Sequence, residues 1–142
     1  MRSDPAVLPP ALAAEKAFAQ SLERVPKSAA AARELLVAAL QTWHLVQLAD
    51  TAALVLGELV SNAVRHAEGE VMRVSVIRRD DGHVRVSVID RSRTRPKARP
   101  TTADAESGRG LVLITALSAA WGVDLLPGGK SVWADLEAEV AP

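Results

Sequence analysis

The chain has 142 residues, 49% of them apolar, which fits one domain with a buried core and excludes a disordered chain. Its 17 basic and 17 acidic side chains balance, so direct binding to nucleic acid or to a membrane through overall charge is not expected. It contains no cysteine, which excludes disulfides and cysteine nucleophiles, and no apolar run near the roughly 20 residues that span a bilayer. The proline-broken N-terminus is a poor signal peptide, so we expect a soluble cytoplasmic protein.

The N-terminal half predicts an arm, a strand and two helices. Residues 1–14 are rich in proline and alanine and predict a flexible arm, which leaves residues 15–142 as a single domain. The stretch 18–26 predicts a first strand that ends at a proline. An alanine- and leucine-rich helix follows over 28–43, and its first residue, Ser28, is a fair N-cap. A second helix is predicted over 48–67.

The C-terminal half changes from helical periodicity to alternation. Apolar and polar side chains alternate in 71–77 and again in 84–90, and the turn between these segments predicts an antiparallel hairpin. No large apolar side chain occurs in 91–107, a length typical of a lid or binding loop. A helix over 108–120 and a closing hairpin over 121–137 complete the chain. These elements predict an α/β (α+β) two-layer sandwich, in which a mixed, mostly antiparallel sheet carries about three helices on one face.

Three polar residues stand four apart on one side of the second helix: Glu58, Asn62 and His66. Such a row is often a plain solvated face of an amphipathic helix. It can also line a cleft, because an amide oxygen is a good ligand for Mg²⁺ and a carboxylate one turn away can act on a hydroxyl group. Periodicity does not decide between these interpretations.

Asp90 continues the alternation of Val84, Val86 and Val88, so its carboxylate is predicted on the buried face. A buried carboxylate needs hydrogen-bond donors, either from the protein or from a ligand at the mouth of a pocket. The alternative is that the strand has already ended and Asp90 begins a turn.

A cluster of serine and glycine residues leads into the third predicted helix. The free amides at such a start favour phosphate, although a helix-capping glycine explains the cluster equally well. Five basic residues precede it in the loop 91–107 and suit a nucleotide lid, a plain flexible loop or a patch that contacts an acidic partner. No aromatic residue lies among them, which leaves single-stranded nucleic acid little to stack on.

Four motifs occur in order along the chain: ELVSNAVRH, VIDRS, SGRGLVLI and GGKSVW. Their order and separations resemble the GHKL family, whose histidine kinase/Hsp90-like ATP-binding fold is shared with type II topoisomerases and MutL proteins. Within that family the chain is most similar to the small, single-domain branch of anti-sigma factor serine/threonine kinases. The resemblance covers residues 25–136 and implies binding of ATP and Mg²⁺.

The resemblance also implies roles for individual positions. Glu58 matches the residue that acts as the general base or positions it, and Asn62 matches the residue that coordinates Mg²⁺ between the phosphates. Asp90 matches the residue that accepts a hydrogen bond from the adenine amino group. Gly108 and Gly110 match the glycines of the lid and of the phosphate-binding helix. The other nucleotide-binding positions that the resemblance implies are His66, Ser92, Arg109, Leu111 and Ser131.

One departure from the family pattern follows Asp90. Many members have Asp-x-Gly, whereas this chain has Arg91 and Ser92, and a glycine allows the backbone to approach a nucleotide closely. Two functions are therefore expected. The first is a kinase that phosphorylates an anti-anti-sigma protein, with a sigma factor as another partner and a homodimeric state common to such proteins. The second is a nucleotide-dependent protein-binding module without phosphotransfer.

Overall fold

The computed structural model describes residues 16–79, 82–91 and 105–137 of the chain. The predicted arm, most of the predicted lid loop and the last five residues therefore lie outside the described residues. The elements in chain order are β1 (Ala17–Glu23), α1 (Ser28–Thr42), α2 (Ala49–His66), β2 (Val71–Arg78), β3 (His83–Asp90), α3 (Ala105–Leu117), β4 (Ala120–Leu126) and β5 (Gly129–Glu137), with a short 3₁₀ turn at Val46–Leu48 before α2.

The five strands form one sheet in the order β1-β2-β3-β5-β4. Each pair of neighbouring strands is antiparallel, so the sheet lacks the parallel component that a mixed sheet would have. The helices lie on one face, where α1 packs on β1, α2 on β3 and β5, and α3 on β4. The predicted two-layer α+β sandwich is confirmed. Within the described ranges no helix is long and apolar enough to cross a membrane.

The alternation in β2 and β3 decides which face of the sheet meets the helices. Val74 and Val76 in β2, and Val84 and Val86 in β3, are completely buried under the helix layer. Burial of one such side chain stabilises the fold by about 1.5–3 kcal/mol. A shift of one residue in strand register would move all of them to the open face, so the pattern fixes the register observed.

The first helix begins differently from the prediction. The cap position belongs to Lys27, which makes no side-chain capping bond, and Ser28 is already helical and buried. The predicted capping role of Ser28 is therefore wrong. The reason lies in the preceding turn, since the Val25 and Pro26 carbonyl oxygens accept the amides of Ser28 and Ala29 at 3.0 and 3.1 Å. These bonds satisfy the first amides without a side-chain cap.

The third helix, described over Ala105–Leu117, ends three residues before the predicted end at 120. Its early end has a clear cause, because Ala120 already pairs with Asp135 of β5 and the Ala119 amide donates to the Asp135 carbonyl at 2.8 Å. Ala119 and Ala120 are therefore held by bonding with β5, although helix propensity alone would have kept them helical. The first strand likewise ends at Glu23, before the residues predicted to finish it.

Candidate functional site

The site begins on the C-terminal half of α2. Leu59, Val60 and Ala63 are buried against the core and fix the rotation of the helix. That rotation leaves Glu58 half-buried, buries Asn62 and leaves His66 exposed at the last helical turn. The row of three polar residues is therefore not a uniform solvated face.

Gly110 of α3 lies directly against this row. A Cβ atom at Gly110 would stand 2.6 Å from Oε2 of Glu58 and 3.9 Å from Oδ1 of Asn62. The first distance is shorter than a normal contact, so a side chain at position 110 would displace the carboxylate end of Glu58 from the place it has here. The structure thus brings Glu58, Asn62 and Gly110 together at one crossing of two helices.

The side-chain amide of Asn62 is buried and incompletely satisfied. Asn62 is 8% exposed, and its Nδ2 atom has no hydrogen-bond partner. Buried polar atoms without a partner are rare in folded proteins and call for an explanation such as a bound water or ion. Rotating the side-chain amide of Asn62 by 180° exchanges Nδ2 and Oδ1. The position without a partner can therefore hold either a hydrogen-bond donor or an oxygen that binds a metal.

Gly108, Arg109 and Gly110 all lie in the described part of α3, which begins at Ala105. Gly110 faces Glu58 across the crossing of the two helices. Leu111 has its side chain in the core at 1% exposure.

Asp90 is the last residue of β3, and its side chain is only 2% exposed on the helix-facing side of the sheet. The strand runs through Asp90, which excludes the alternative that a turn begins there. Its Oδ1 accepts a hydrogen bond from Nζ of Lys130 at 3.0 Å, and the Lys130 side chain is 6% exposed. The alternation along β3 predicts the buried carboxylate of Asp90, and the structure adds Lys130 as its partner.

Lys130 was detectable in the sequence by the same alternation that located Asp90. It begins the inward series of β5, which continues with Val132, Ala134 and Leu136. Ser131 alternates to the opposite, open face, opposite Ile89 and Asp124. The structure therefore does not bring Ser131 together with Asp90. Ser92 lies outside the described residues.

The residues that follow β3 and β1 both contact the chain at the end of α2. Gly69 has a φ angle of +88°, and a Cβ atom there would stand 2.7 Å from Cδ of Arg91, the residue after Asp90. Arg24 donates from Nη1 to the Val64 carbonyl oxygen at 2.6 Å and from Nε to the Gly69 carbonyl oxygen at 2.7 Å. A cation at this position also favours the C-terminal end of a helix. The end of β3 therefore lies beside the residues that follow α2.

Comparison with known families agrees with this arrangement. The model of the histidine kinase-like ATPase domain matches residues 4–136. The chain belongs to this family. A solved structure with the same fold contains the RsbU and RsbW domains of Rv1364c from Mycobacterium tuberculosis, at 22% identity and a TM-score of 0.57. The match covers 85% of this chain and 31% of that one. No curated protein matches the chain.

The residues of this histidine kinase-like ATPase fit a magnesium nucleotide on two observations. The buried Nδ2 atom of Asn62 has no hydrogen-bond partner, and Oδ1 of the same side chain lies 3.9 Å from the position of a Cβ atom at Gly110, beside the Glu58 carboxylate. Mg²⁺ usually binds one or two protein oxygens together with water and phosphate, so Asn62 is the residue that would hold it here. No cluster of three or more histidine or acidic side chains occurs in the part of the chain that the structure describes.

An open groove of about 560 Å³ runs between α2 and α3 on the outer side of this contact. Glu58 borders it, so the same carboxylate is accessible from the groove while it touches Gly110. The lining of the groove is mostly apolar. The residues that line the groove are Glu58, Ser61, Arg65, Gly110, Val112, Leu113 and Ala116.

Proposed function

We propose that this histidine kinase-like ATPase binds ATP with Mg²⁺ between α2, the start of α3 and the Asp90 end of β3. The observation that carries the proposal is the contact of Gly110 with Glu58 and Asn62, which leaves a buried amide unsatisfied beside a carboxylate. Asn62 would hold Mg²⁺, backbone amides in the N-terminal part of α3 would offset phosphate charge, and Asp90 would accept a hydrogen bond from the adenine amino group.

The proposed reaction is phosphoryl transfer to a serine or threonine hydroxyl of a protein partner. Glu58 accepts the hydroxyl proton, the oxygen forms a bond to the γ-phosphorus, and the bond to the bridging oxygen breaks so that ADP leaves. The groove beside Glu58 provides room for the partner to approach. An anti-anti-sigma protein is the proposed substrate, with a sigma factor as the second partner, and the likeness to a structure that contains an RsbW domain supports this choice.

A second candidate is a nucleotide-dependent binding module that does not transfer phosphate. One observation favours it: Ser92 stands where the family pattern Asp-x-Gly has its glycine. Both candidates predict ATP binding. They differ in whether a phosphorylated partner appears.

Nucleotide binding is tested by calorimetric titration of the protein with ATP, with and without Mg²⁺. We expect Mg²⁺ to strengthen binding in the wild type and to have no effect in Asn62→Ala. Ser61→Ala, on the adjacent position of the same helix, is the control and should behave as the wild type. Because Nδ2 of Asn62 makes no hydrogen bond, Asn62→Ala should remain folded. An undiminished Mg²⁺ effect in Asn62→Ala would place the metal elsewhere.

Phosphotransfer is tested with radiolabelled ATP and a candidate anti-anti-sigma protein. The kinase predicts a labelled partner with the wild type and a loss of about 10²- to 10⁴-fold in rate with Glu58→Gln. Glu34→Gln, an exposed carboxylate on α1, is the control and should retain the wild-type rate. ATP binding without any labelled partner would favour the binding module.

A further inference from the structure

Lys130 is a buried cation in a series of apolar side chains. It is 4% exposed, and the helix-facing positions that follow it on β5 are Val132, Ala134 and Leu136. In the register of the sheet it stands directly opposite Asp90, and its Nζ atom donates to Oδ1 of Asp90 at 3.0 Å. The family assignment and the proposed function both leave this residue without a role.

Stability alone does not account for a charge at this position. Removing an ammonium group and a carboxylate from water costs several kcal/mol each, and apolar side chains in place of a buried ion pair often give an equally stable fold. An apolar residue at position 130 would also continue the inward series of β5. A ligand that needs both charges would account for the pair.

The position of Lys130 is fixed by its neighbour in the chain. A Cβ atom at Gly129 would stand 2.1 Å from the carbonyl oxygen of Asp90, so the two backbones meet with no room for a side chain. This contact holds the first residues of β5 against the last residue of β3. Nζ of Lys130 and the carboxylate of Asp90 are thus a rigid donor and acceptor side by side, at the end of the sheet that approaches the C-terminal end of α2.

Such a pair complements the amino edge of a 6-aminopurine. Adenine presents an N6–H donor next to the N1 acceptor, so one side chain must accept and its neighbour must donate. We propose that Lys130 is a specificity-determining residue that donates to N1 of adenine while Asp90 accepts from the N6 amino group. Charged donors and acceptors make hydrogen bonds roughly twice as strong as neutral ones, and a buried charge left without its ligand partner penalises the wrong base.

This assignment rests on the proposed function, and base analogues separate the two. The purified protein is titrated with ATP, with 1-deaza-ATP, which lacks the N1 acceptor, and with 7-deaza-ATP, which keeps it, all with Mg²⁺. For the wild type we expect 1-deaza-ATP to bind roughly 10- to 100-fold more weakly than ATP, the effect of one hydrogen bond to a charged group. Binding of 7-deaza-ATP should stay within about threefold of ATP.

The variant Lys130→Met keeps an unbranched side chain, one atom shorter, and removes the ammonium donor. We expect it to bind ATP more weakly and to bind ATP and 1-deaza-ATP with affinities within about threefold of each other, whereas the exposed-lysine control Lys27→Met keeps the wild-type discrimination.

If the wild type binds ATP and 1-deaza-ATP with equal affinity, Lys130 does not have the proposed role. This comparison uses the wild type alone and does not depend on whether a variant folds. Discrimination that persists in Lys130→Met overturns that role as well. In both cases the bound ATP leaves the proposed function standing. If the wild type binds no ATP, the proposed function fails and the role of Lys130 fails with it.

Discussion

Two of the acid–base pairs that join β3 and β5 lie on opposite faces of the sheet. On the helix-facing side, Lys130 and Asp90 are 6% and 2% exposed in their side chains. On the open side, Arg85 donates from Nε and Nη2 to the two carboxylate oxygens of Asp135 at 2.7 and 2.9 Å, with side chains 22% and 20% exposed. The Arg85 guanidinium also stacks 3.8 Å from the ring centre of Trp133.

The pairs differ in their bonding, one hydrogen bond against two, and in how far their surroundings exclude water. The open-face pair keeps contact with water, so its charges cost little to hold and contribute little to stability. The inner pair has been removed from water, so the loss of one partner leaves a charge that the surroundings do not solvate. Two pairs built from the same strands therefore differ in their energetic consequences, and the inner pair alone lies at the candidate site.

The largest expected effect comes from removing one side of the inner pair. Asp90→Ala takes the carboxylate away from the Lys130 ammonium and should lower the free energy of unfolding by about 3–5 kcal/mol in urea denaturation. The control Asp124→Ala removes an exposed carboxylate of β4 and should change it by less than about 0.5 kcal/mol. A loss below about 1 kcal/mol for Asp90→Ala would mean that the inner pair behaves as the open-face pair does.

The second prediction compares two helical glycines, Gly110, which lies against another side chain, and Gly57, which does not. Gly110→Ala places a Cβ atom 2.6 Å from Oε2 of Glu58, whereas a Cβ atom at Gly57 meets nothing within 4 Å. We expect Gly110→Ala to weaken ATP binding about tenfold, because the Glu58 carboxylate is displaced, and to change the free energy of unfolding by less than about 1 kcal/mol, because the flexible end of Glu58 can move aside. Gly57→Ala should stabilise α2 by about 0.5–1 kcal/mol and leave ATP binding unchanged. Unchanged ATP affinity in Gly110→Ala would show that the position of the Glu58 carboxylate does not matter for binding.

The smallest effect concerns the open-face pair and depends on pH. Hydrogen bonds from Arg85 hold the pKa of Asp135 below its usual value, in opposition to the smaller effect of burial. A lowered pKa in the folded state means that the pair stabilises the protein at neutral pH and that this contribution is lost as the pH falls through the lowered pKa. Asp135→Asn should therefore cost at most about 1 kcal/mol at pH 7 and nothing in acid.

Salt sharpens this last test. Ionic strength of about 1 M shortens the screening length to about 3 Å, so the cost of Asp135→Asn should shrink there while that of Asp90→Ala persists. A cost for Asp135→Asn that ignores both pH and salt would show that packing against Trp133, and not charge, is the main contribution of this pair.

Much of the fold was predictable because its signals are local. Period-two alternation located the β2–β3 hairpin and the inward carboxylate of Asp90, and the amphipathic pattern located α2 within one residue at each end. The ends of α1 and α3 were less predictable. A turn at Val25 and Pro26 removed the need for Ser28 as a cap, although residue type alone favours serine there. Pairing with Asp135 of β5 ended α3 early, and that partner is 15 residues beyond Ala120 in the sequence.

The sequence by itself determined the fold class, the family and the positions of Glu58, Asn62 and Asp90, because periodicity and motif order are properties of the linear chain. The tertiary structure alone decided that Gly110 lies against the Glu58 carboxylate and that Lys130 pairs with Asp90. Each of these depends on the register or crossing of elements 40 or more residues apart. Packing sets such distances, and a one-residue change in register reverses which side chain faces the site.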